Sequence, residues 1–410
     1  MNNDKDEIKM SFQSIRDMDL KDKRVLLRAD LNVPARRGKV TDTTRIDRLK
    51  PTIDFLRDAG ARILILSHFG RPEGEQNPEM SLAFLTPTLE ERWGCDIRFS
   101  PDCIGPKAEA VIAKMGEGDV TLLENVRFYK EEKQNTPEFV SKLAALGDVF
   151  INDAFSAAHR AHASTEGLAH VLPAAAGLLM EQELNALDAA LEHPQKPVAA
   201  IVGGSKISTK LGVLNNIVQK VDYLILGGAM ANTFLYANGT DVGSSLCETN
   251  MKEEALKISE TAKKHGCEIV LPIDSIVVNE LKLNAPSETV DSQAIPDDKM
   301  AIDVGPKSIA YVENILEKSK TLLWNGPMGV FELKPFDTGT NALAHKAAEQ
   351  TKAGKLVSIA GGGDTVAALE NAEVCQDFTY ISTAGGAFLE WLKGETLPGV
   401  EALYTAKKAA

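Results

Sequence analysis

The chain has 410 residues, with 45 Lys and Arg against 58 Asp and Glu and a formal net charge of −13. That length exceeds one ordinary hydrophobic core and predicts two domains. The acidic balance excludes a general binder of nucleic acid or anionic membrane, so any phosphate recognition must come from local basic clusters. Five scattered cysteines, Cys95, Cys103, Cys247, Cys267 and Cys375, never fall in a CxxC spacing. They argue against a disulfide framework or a cysteine metal site and fit a reduced compartment. The N-terminus is charged with no apolar core behind it, and no run approaches the ~20 apolar residues of a membrane span. A soluble, cytoplasmic protein is expected.

The first half alternates short β-rich runs with helical patterns, the signature of a parallel sheet covered by helices. A strand over Arg24–Asp30 leads to Asn32 and Pro34, and Ile46, Leu49, Ile53 and Leu56 then recur at helical spacing. Pro51 must either kink that helix or open its regular part. A second strand, Ala61–Ser67, ends in Ser-His-Phe-Gly-Arg-Pro72, and a third, Val120–Glu124, ends in Asn125-Val-Arg127. Thr136 and Pro137 begin a helix with Phe139, Leu143 and Leu146 on one face, followed by the strand Asp148–Asp153 and the run Ala154 to Ser164.

Asp30, Asn32, Arg45, His68, Arg71, Arg127, His159, Arg160 and His162 all fall at or beyond predicted strand C-termini. Ligands of open α/β sheets bind at that edge. Each Arg singly is better explained as a surface salt bridge, and each His as a structural residue. His159-Arg-Ala-His162 also lacks the Glu of a zinc HExxH helix. Four arginines converging in an acidic protein nevertheless imply a small, strongly anionic substrate.

Met180, Leu184, Leu187 and Leu191 form one stripe of an amphipathic helix of about four turns over 177–191, ending at His193-Pro194. The domain boundary is placed here, with a first domain over 1–176, a connecting helix over 177–194, a second domain over 195–383 and a segment 384–410 returning to the first. The second half repeats the alternation. The strand Pro197–Val202 runs into Gly203-Gly-Ser-Lys206, and a helix marked by Ile207, Leu211, Leu214 and Val218 follows. Lys206 and Lys210 would stack one turn apart at its N-terminus, where cations are unfavourable unless an anion such as an ATP phosphate neutralises them. Two solvated surface lysines are the alternative. Strands Tyr223–Gly228, Cys267–Asp274, Thr321–Met328 and Phe378–Thr383 are also predicted, with 275–303 an irregular or short-stranded excursion.

Leu356–Ala360 reads as a strand, Gly361, Gly362 and Gly363 as a turn, and Asp364-Thr365 as the start of a helix. Backbone N–H groups brought close by glycine, together with a helix N-terminus, suit a phosphate chain. Asp364 there suggests Mg²⁺ on the phosphates, although a tight turn with an Asp cap explains the stretch equally well. No Walker A sequence is present, and GxGxxG fails because Val366 stands at the third glycine, which counts against a dinucleotide dehydrogenase. Ala161 after His159-Arg160 removes the protein-kinase HRD.

In combination, Arg28-Ala-Asp-Leu-Asn-Val-Pro34, Ser67-His-Phe-Gly-Arg-Pro72, Glu124-Asn-Val-Arg-Phe128, Asn152-Asp-Ala-Phe155, Ala158-His-Arg-Ala-His162, Gly203-Gly-Ser-Lys206, Leu323–Glu332, Gly361–Thr365 and Leu397-Pro-Gly-Val400 resemble the phosphoglycerate kinase family over nearly the whole chain. The resemblance implies two Rossmann-like α/β domains with parallel sheets, joined by a connecting helix, with the active site in the interdomain cleft. It implies reversible phosphoryl transfer between 1,3-bisphosphoglycerate and ADP, giving 3-phosphoglycerate and ATP, by in-line transfer after hinge closure in a monomer. Asp30, Asn32, Arg45, His68, Arg71, Arg127 and Arg160 would hold 3-phosphoglycerate. Lys206, Lys210, Gly227, Gly228, Asn325, Glu332, Gly361, Gly362, Gly363, Asp364 and Thr365 would hold Mg-ATP, with Glu332 on the ribose and Asp364 on Mg²⁺. Arg45, Lys206 and Lys210 are the implied catalytic cations. Three positions depart from the family pattern. Ser156-Ala157 replaces a Gly-Thr pair, Thr209 an Asp, and Ala384 the first of three glycines, where a stiffened hinge is the concern.

Overall fold

The computed structural model describes residues 12–406, and these form two compact units. One runs up to Glu183 and takes in the segment from Thr396, while the other covers Leu184–Glu395. The α/β architecture with parallel sheets is present in both.

The first unit holds six parallel strands, β1 (Arg24–Arg28), β2 (Arg62–Leu66), β3 (Ile97–Phe99), β4 (Val120–Leu122), β5 (Val149–Asn152) and β6 (Ala174–Ala176), in spatial order β3-β4-β2-β1-β5-β6. Their apolar runs are buried on both faces, as a helix-covered parallel sheet requires. Val25, Leu27, Ile63, Ile65, Leu122 and Ile151 share one core with Ile46, Leu49, Ile53 and Leu56 of helix α1 (Thr44–Asp58). Pro51 lies inside this helix, which runs on through it. Strands β3 and β6 go beyond the sequence reading. Ala174–Ala176 has little intrinsic preference for a strand and is extended by pairing with Phe150–Asn152.

Helix α2 (Leu178–Leu187) spans the boundary between the units and continues into a π-helical turn, Asp188–Glu192. Its N-terminus is fixed within the first unit. The buried Asp153 carboxylate accepts from Met180 N at 2.8 Å and from Thr52 Oγ1, on α1, at 2.6 Å.

In the second unit, β7 (Val198–Val202), β8 (Tyr223–Leu226), β9 (Glu268–Val270), β10 (Thr321–Asn325), β11 (Val357–Gly361) and β12 (Tyr380–Ser382) are parallel, in the order β9-β8-β7-β10-β11-β12. This is the order of a dinucleotide-type sheet, with the crevice where connections reverse, between β7 and β10. The single strand expected over Cys267–Asp274 is two strands. Glu268–Val270 joins the main sheet, and Asp274–Val278 becomes the centre of a separate antiparallel sheet with Ser287–Asp291 and Met300–Val304. That small sheet occupies the stretch read as an irregular excursion, around Val278, Ala285, Ile302 and Phe336.

The C-terminal stretch divides at Thr396. Helix Gly385–Leu392 belongs to the second unit, and helix Pro398–Thr405 to the first. Ala384 precedes Gly385 with φ −90° and ψ 15°, a conformation open to any residue, so alanine brings no backbone strain there. At the other helix, Gly399 N donates to Ala158 O at 2.8 Å, and a Cβ on Gly399 would stand 3.0 Å from Ala158 Cα. Asn152 Nδ2 donates to Gly399 O at 3.3 Å. The returning helix thus supports the loop that carries Arg160. Gly399→Ala is expected to destabilise the protein by about 1–3 kcal/mol through overpacking, read from denaturant or thermal unfolding.

Candidate functional site

At the C-terminal edge of the first sheet, the loops after β1, β2, β4 and β5 carry the polar residues read from the sequence. Asp30 is the hub nearest β1. Its Oδ1 accepts from Asn32 N at 3.1 Å, and its Oδ2 takes both Arg45 Nη1 at 2.7 Å and the Ser156 hydroxyl. Arg45 also donates to Asn32 O at 2.9 Å, and Asn32 Oδ1 accepts from Gly70 N at 3.0 Å. Asn125 ties the loops after β2 and β4 together, donating to Phe69 O and Met80 O and accepting from Arg127 N at 3.1 Å. The Arg127 guanidinium donates to Gly70 O at 3.0 Å.

Electropositive character is concentrated at this edge. Arg127 is buried, and burial, then Arg28 and Arg160, push its pKa down to about 10. His162 is pushed down to about 4 by burial, then by Arg127 and Arg28. His68 lies well below its usual value for the same reason, burial first and then Arg28. Arg71 and Arg160 are exposed, while Arg45 is half-buried. The structure therefore gathers Asp30, Asn32, Arg45, His68 and Arg127 through contacts, with Arg71 and Arg160 close enough to act on Arg127 electrostatically.

Three residues here escaped the sequence reading: Arg28, Glu132 and Ser164, all buried. Arg28 is the last residue of β1, and a cation at the end of Val-Leu-Leu in a strand buried on both faces was the available signal. Glu132 and Ser164 gave none, because the residues they touch are distant in sequence.

The second unit's edge is built from backbone. A Cβ on Gly203 would stand 1.8 Å from Pro327 O, so the ends of β7 and β10 approach as only glycine permits. Gly228 N donates to Met328 O at 2.8 Å and opens helix α3 (Gly228–Ala237), with Gly227 as its cap. Helix α4 begins at Gly363 and runs to Asn371. Its cap, Gly362, has φ 99°, a conformation L side chains rarely adopt, and a Cβ there would stand 2.7 Å from Asn325 Nδ2. Gly363 and Asp364 are exposed in the first turn, and Thr365 is buried with its Oγ1 accepting from Gly326 N at 2.7 Å. Glu332 lies exposed in the turns after β10.

The two lysines are arranged differently from the sequence expectation. The helix after β7 starts at Leu211, not Ile207, so Lys206 and Lys210 do not stack on it. Residues 208–210 form a turn instead, closed by Thr209 Oγ1 donating to Lys206 O at 2.9 Å and tethered by Ser208 to Glu248. Lys206 is exposed. Lys210 folds inward, and its ammonium donates to Gly203 O at 2.7 Å, Asn325 O at 3.0 Å and Asn325 Oδ1 at 2.7 Å. Asn325 Nδ2 in turn donates to Gly361 O at 2.7 Å, so one amide joins Lys210 to the strand that precedes α4. All three acceptors are neutral, and burial pushes the Lys210 pKa down to about 8, with Asp364 opposing.

An anion edge on one α/β unit and a glycine-lined helix-N-terminus edge on the other define a class: a two-unit phosphotransferase acting on a small anionic substrate. A family model described as phosphoglycerate kinase matches residues 15–395. The chain is 57% identical over 384 residues to the phosphoglycerate kinase of Methylorubrum extorquens, covering 94% of this chain and 96% of that one. Among solved structures it is similar to the phosphoglycerate kinase of Coxiella burnetii, with 42% identity, a TM-score of 0.89, and coverage of 97% and 100% of the two chains. It is also similar to the phosphoglycerate kinase of Pyrococcus horikoshii, at 30% identity and a TM-score of 0.78, covering 96% of this chain and 98% of that one. The chain belongs to the phosphoglycerate kinase family. It is an enzyme of reversible phosphoryl transfer between 1,3-bisphosphoglycerate and ADP, giving 3-phosphoglycerate and ATP. No helix among the described residues is long and apolar enough to cross a membrane.

A phosphate placed beside Lys210 would favour its charged form and draw its pKa back up from about 8. If the nucleotide phosphates bind beside Lys210, nucleotide binding near pH ~8.5 should take up a fraction of a proton, and affinity should fall as pH rises through ~8. Calorimetry in buffers of different ionisation enthalpy measures the uptake, and Lys210→Met should abolish it.

Proposed function

We propose that the basic edge of the first unit holds 3-phosphoglycerate through Asp30, Asn32, Arg45, His68, Arg71, Arg127 and Arg160. The edge of the second unit holds the nucleotide through Lys206, Lys210, Gly227, Gly228, Asn325, Glu332, Gly361, Gly362, Gly363, Asp364 and Thr365, with Glu332 on the ribose. The observation that carries this reading is the partnering of Lys210, whose ammonium rests on three neutral acceptors at the sheet's switch point. A cation kept off carboxylates in this way keeps its charge for a ligand.

The attacking group is the carboxylate of 3-phosphoglycerate, or the terminal phosphate of ADP in reverse. Both are already ionised, so no general base is required. The travelling phosphoryl group spreads charge over three equatorial oxygens. Arg45 from one unit and Lys206 and Lys210 from the other neutralise that charge, and the N–H groups opening α4 meet the nucleotide phosphates. Mg²⁺, when bound, supplies further charge neutralisation on the phosphates. A single exposed carboxylate in the first turn of α4, Asp364, fits a metal held largely by phosphate and water. In-line transfer further requires the two edges to face one another with water excluded. We assign this to hinge closure about α2, with residues 1–176 and 195–383 as the two working domains. The enzyme works as a cytoplasmic monomer in this reading.

A coupled assay tests the proposal. Purified protein with ATP, Mg²⁺ and 3-phosphoglycerate should consume NADH through added glyceraldehyde-3-phosphate dehydrogenase, with strict dependence on all three components. Lys206→Ala and Arg45→Ala are each expected to lower kcat by ~10²–10³-fold, the effect of removing one preorganised charge from the transition state. An unchanged kcat in either variant rejects the role given to that residue.

A further inference from the structure

Beneath the basic edge lies a buried chain of hydrogen bonds whose donor directions are fixed by chemistry. Arginine has five donors and no acceptor. Arg28 is 1% exposed, and its Nη2 lies 2.8 Å from His68 Nδ1. Nδ1 must therefore be the acceptor, which leaves the ring proton on Nε2. The guanidinium is itself held in place. Its Nε donates to Ser164 Oγ at 2.9 Å, and its Nη1 donates to Ala29 O. Ser164 Oγ, already accepting from Arg28, sends its proton to Glu132 Oε1 at 2.6 Å, while Ser164 N donates to Glu132 Oε2 at 3.0 Å. Both Glu132 oxygens are thus acceptors; burial pushes its pKa up, while Arg28 and the two Ser164 donors pull it back.

We propose that Arg28, anchored through Ser164 to Glu132, is a positioning residue that locks His68 as the neutral Nε2–H tautomer, so that the ring offers a single N–H donor to 3-phosphoglycerate. The last part rests on the substrate edge assigned above. Protonation of Nδ1 would set two donors against each other at 2.8 Å and break the contact. The groups around the ring reinforce this. Arg28 on β1, Arg127 after β4, His162 after β5 and Arg45 on α1 all disfavour an imidazolium, and burial acts in the same direction. Glu132, on the short helix Lys130–Gln134, and Asp30, after β1, are the carboxylates that act on Arg28. Glu132 is committed to Ser164, with His162 Nδ1 3.9 Å from its Oε1, and Asp30 to Arg45, Asn32 and Ser156. A neutral, tautomerically fixed histidine presents one donor at Nε2 and no charge over the whole working pH range, whereas an ordinary histidine gains a charge and a second donor as it titrates.

Long-range ¹H–¹⁵N spectra of the ¹⁵N-histidine-labelled full chain read the tautomer directly. His68 is assigned among seven histidines by the signal lost in His68→Gln. The expected result is an Nε2–H pattern that stays constant between pH ~5.5 and ~8.5, outside the behaviour of a histidine titrating near ~6.5. Arg28→Met should give a titrating or mixed tautomer, and Arg28→Lys, which keeps a donor and no acceptor, should restore the pattern. An Nδ1–H signal, a His68 that titrates in the wild type, or an Arg28→Met spectrum identical to wild type overturns the proposal. If Arg28→Met fails to fold, the wild-type tautomer and its pH profile decide alone.

Adding 3-phosphoglycerate tests the substrate role separately. The His68 Nε2 resonance should shift, and KM for 3-phosphoglycerate should rise about 10-fold or more in Arg28→Met but recover in Arg28→Lys, the loss of one charge-assisted hydrogen bond. A locked tautomer that ignores the substrate would overturn the positioning role alone. The spectra need no turnover, so failure of the assigned reaction remains distinguishable from failure of the lock.

Discussion

The constraint on which the structure depends is the holding of cations in readiness. A phosphoryl donor and acceptor bring several negative charges, and a protein with a net charge of −13 has many carboxylates with which to consume its own lysines and arginines. The structure limits that loss by partnering site cations largely with neutral oxygen. Lys210 rests on two carbonyls and an amide oxygen, Arg127 on Gly70 O, and Arg28 on Ala29 O and a hydroxyl. Such contacts satisfy the N–H groups without cancelling the charge. The cost appears as depressed pKa values, about 8 for Lys210, where burial outweighs Asp364, and about 10 for Arg127, where burial and the neighbouring Arg28 and Arg160 outweigh Glu132. In the proposed reading a bound phosphate would supply that anion, so the energy withheld in the free protein would become available for binding.

Arg45 shows the same logic with a carboxylate in place. Its partner Asp30 is shared three ways, by Arg45, Asn32 N and the Ser156 hydroxyl. A carboxylate oxygen that already accepts from serine competes less strongly for a guanidinium, and it remains partnered when the guanidinium leaves. In the second unit the equivalent task falls to backbone geometry. Gly203, Gly228 and Gly362 remove the Cβ atoms that would separate the ends of β7, β10 and the opening of α4. What converges there is close-packed backbone, joined by the Lys210 ammonium and the Asn325 amide.

How much of this could be read in advance follows from the range of the forces involved. Strands such as Arg24–Arg28 and Val198–Val202, and the glycine and arginine motifs after them, were legible because local pattern and turn chemistry specify them. The edge residues were legible as a set because the doubly wound fold delivers every strand C-terminus to one place. Strand β6 was hidden, since three alanines become extended only through pairing with β5. The start of the helix after β7 was misplaced because a Thr209 to Lys206 contact and the Ser208 tether to Glu248, forty residues away, stabilise a turn over one more turn of helix. Glu132 and Ser164 were invisible for the same reason: Ser164 matters through its contact with Arg28, 136 residues distant, and Glu132 through Ser164, 32 residues distant.

The three departures from the family pattern can be weighed on the same physical footing. Ser156 does more than tolerate its position, because its hydroxyl gives Asp30 a partner that glycine could not supply. Thr209 uses its hydroxyl locally, closing the turn that leaves Lys206 exposed and directs Lys210 inward. Ala384 was the position of most concern, since glycine is demanded where φ is positive. Its φ is −90°, and the positive angle falls one residue later, at Gly385, where glycine is retained. The hinge argument against Ala384 therefore loses its steric basis, and what alanine changes there is the entropy of the unfolded chain, an effect that favours the folded state.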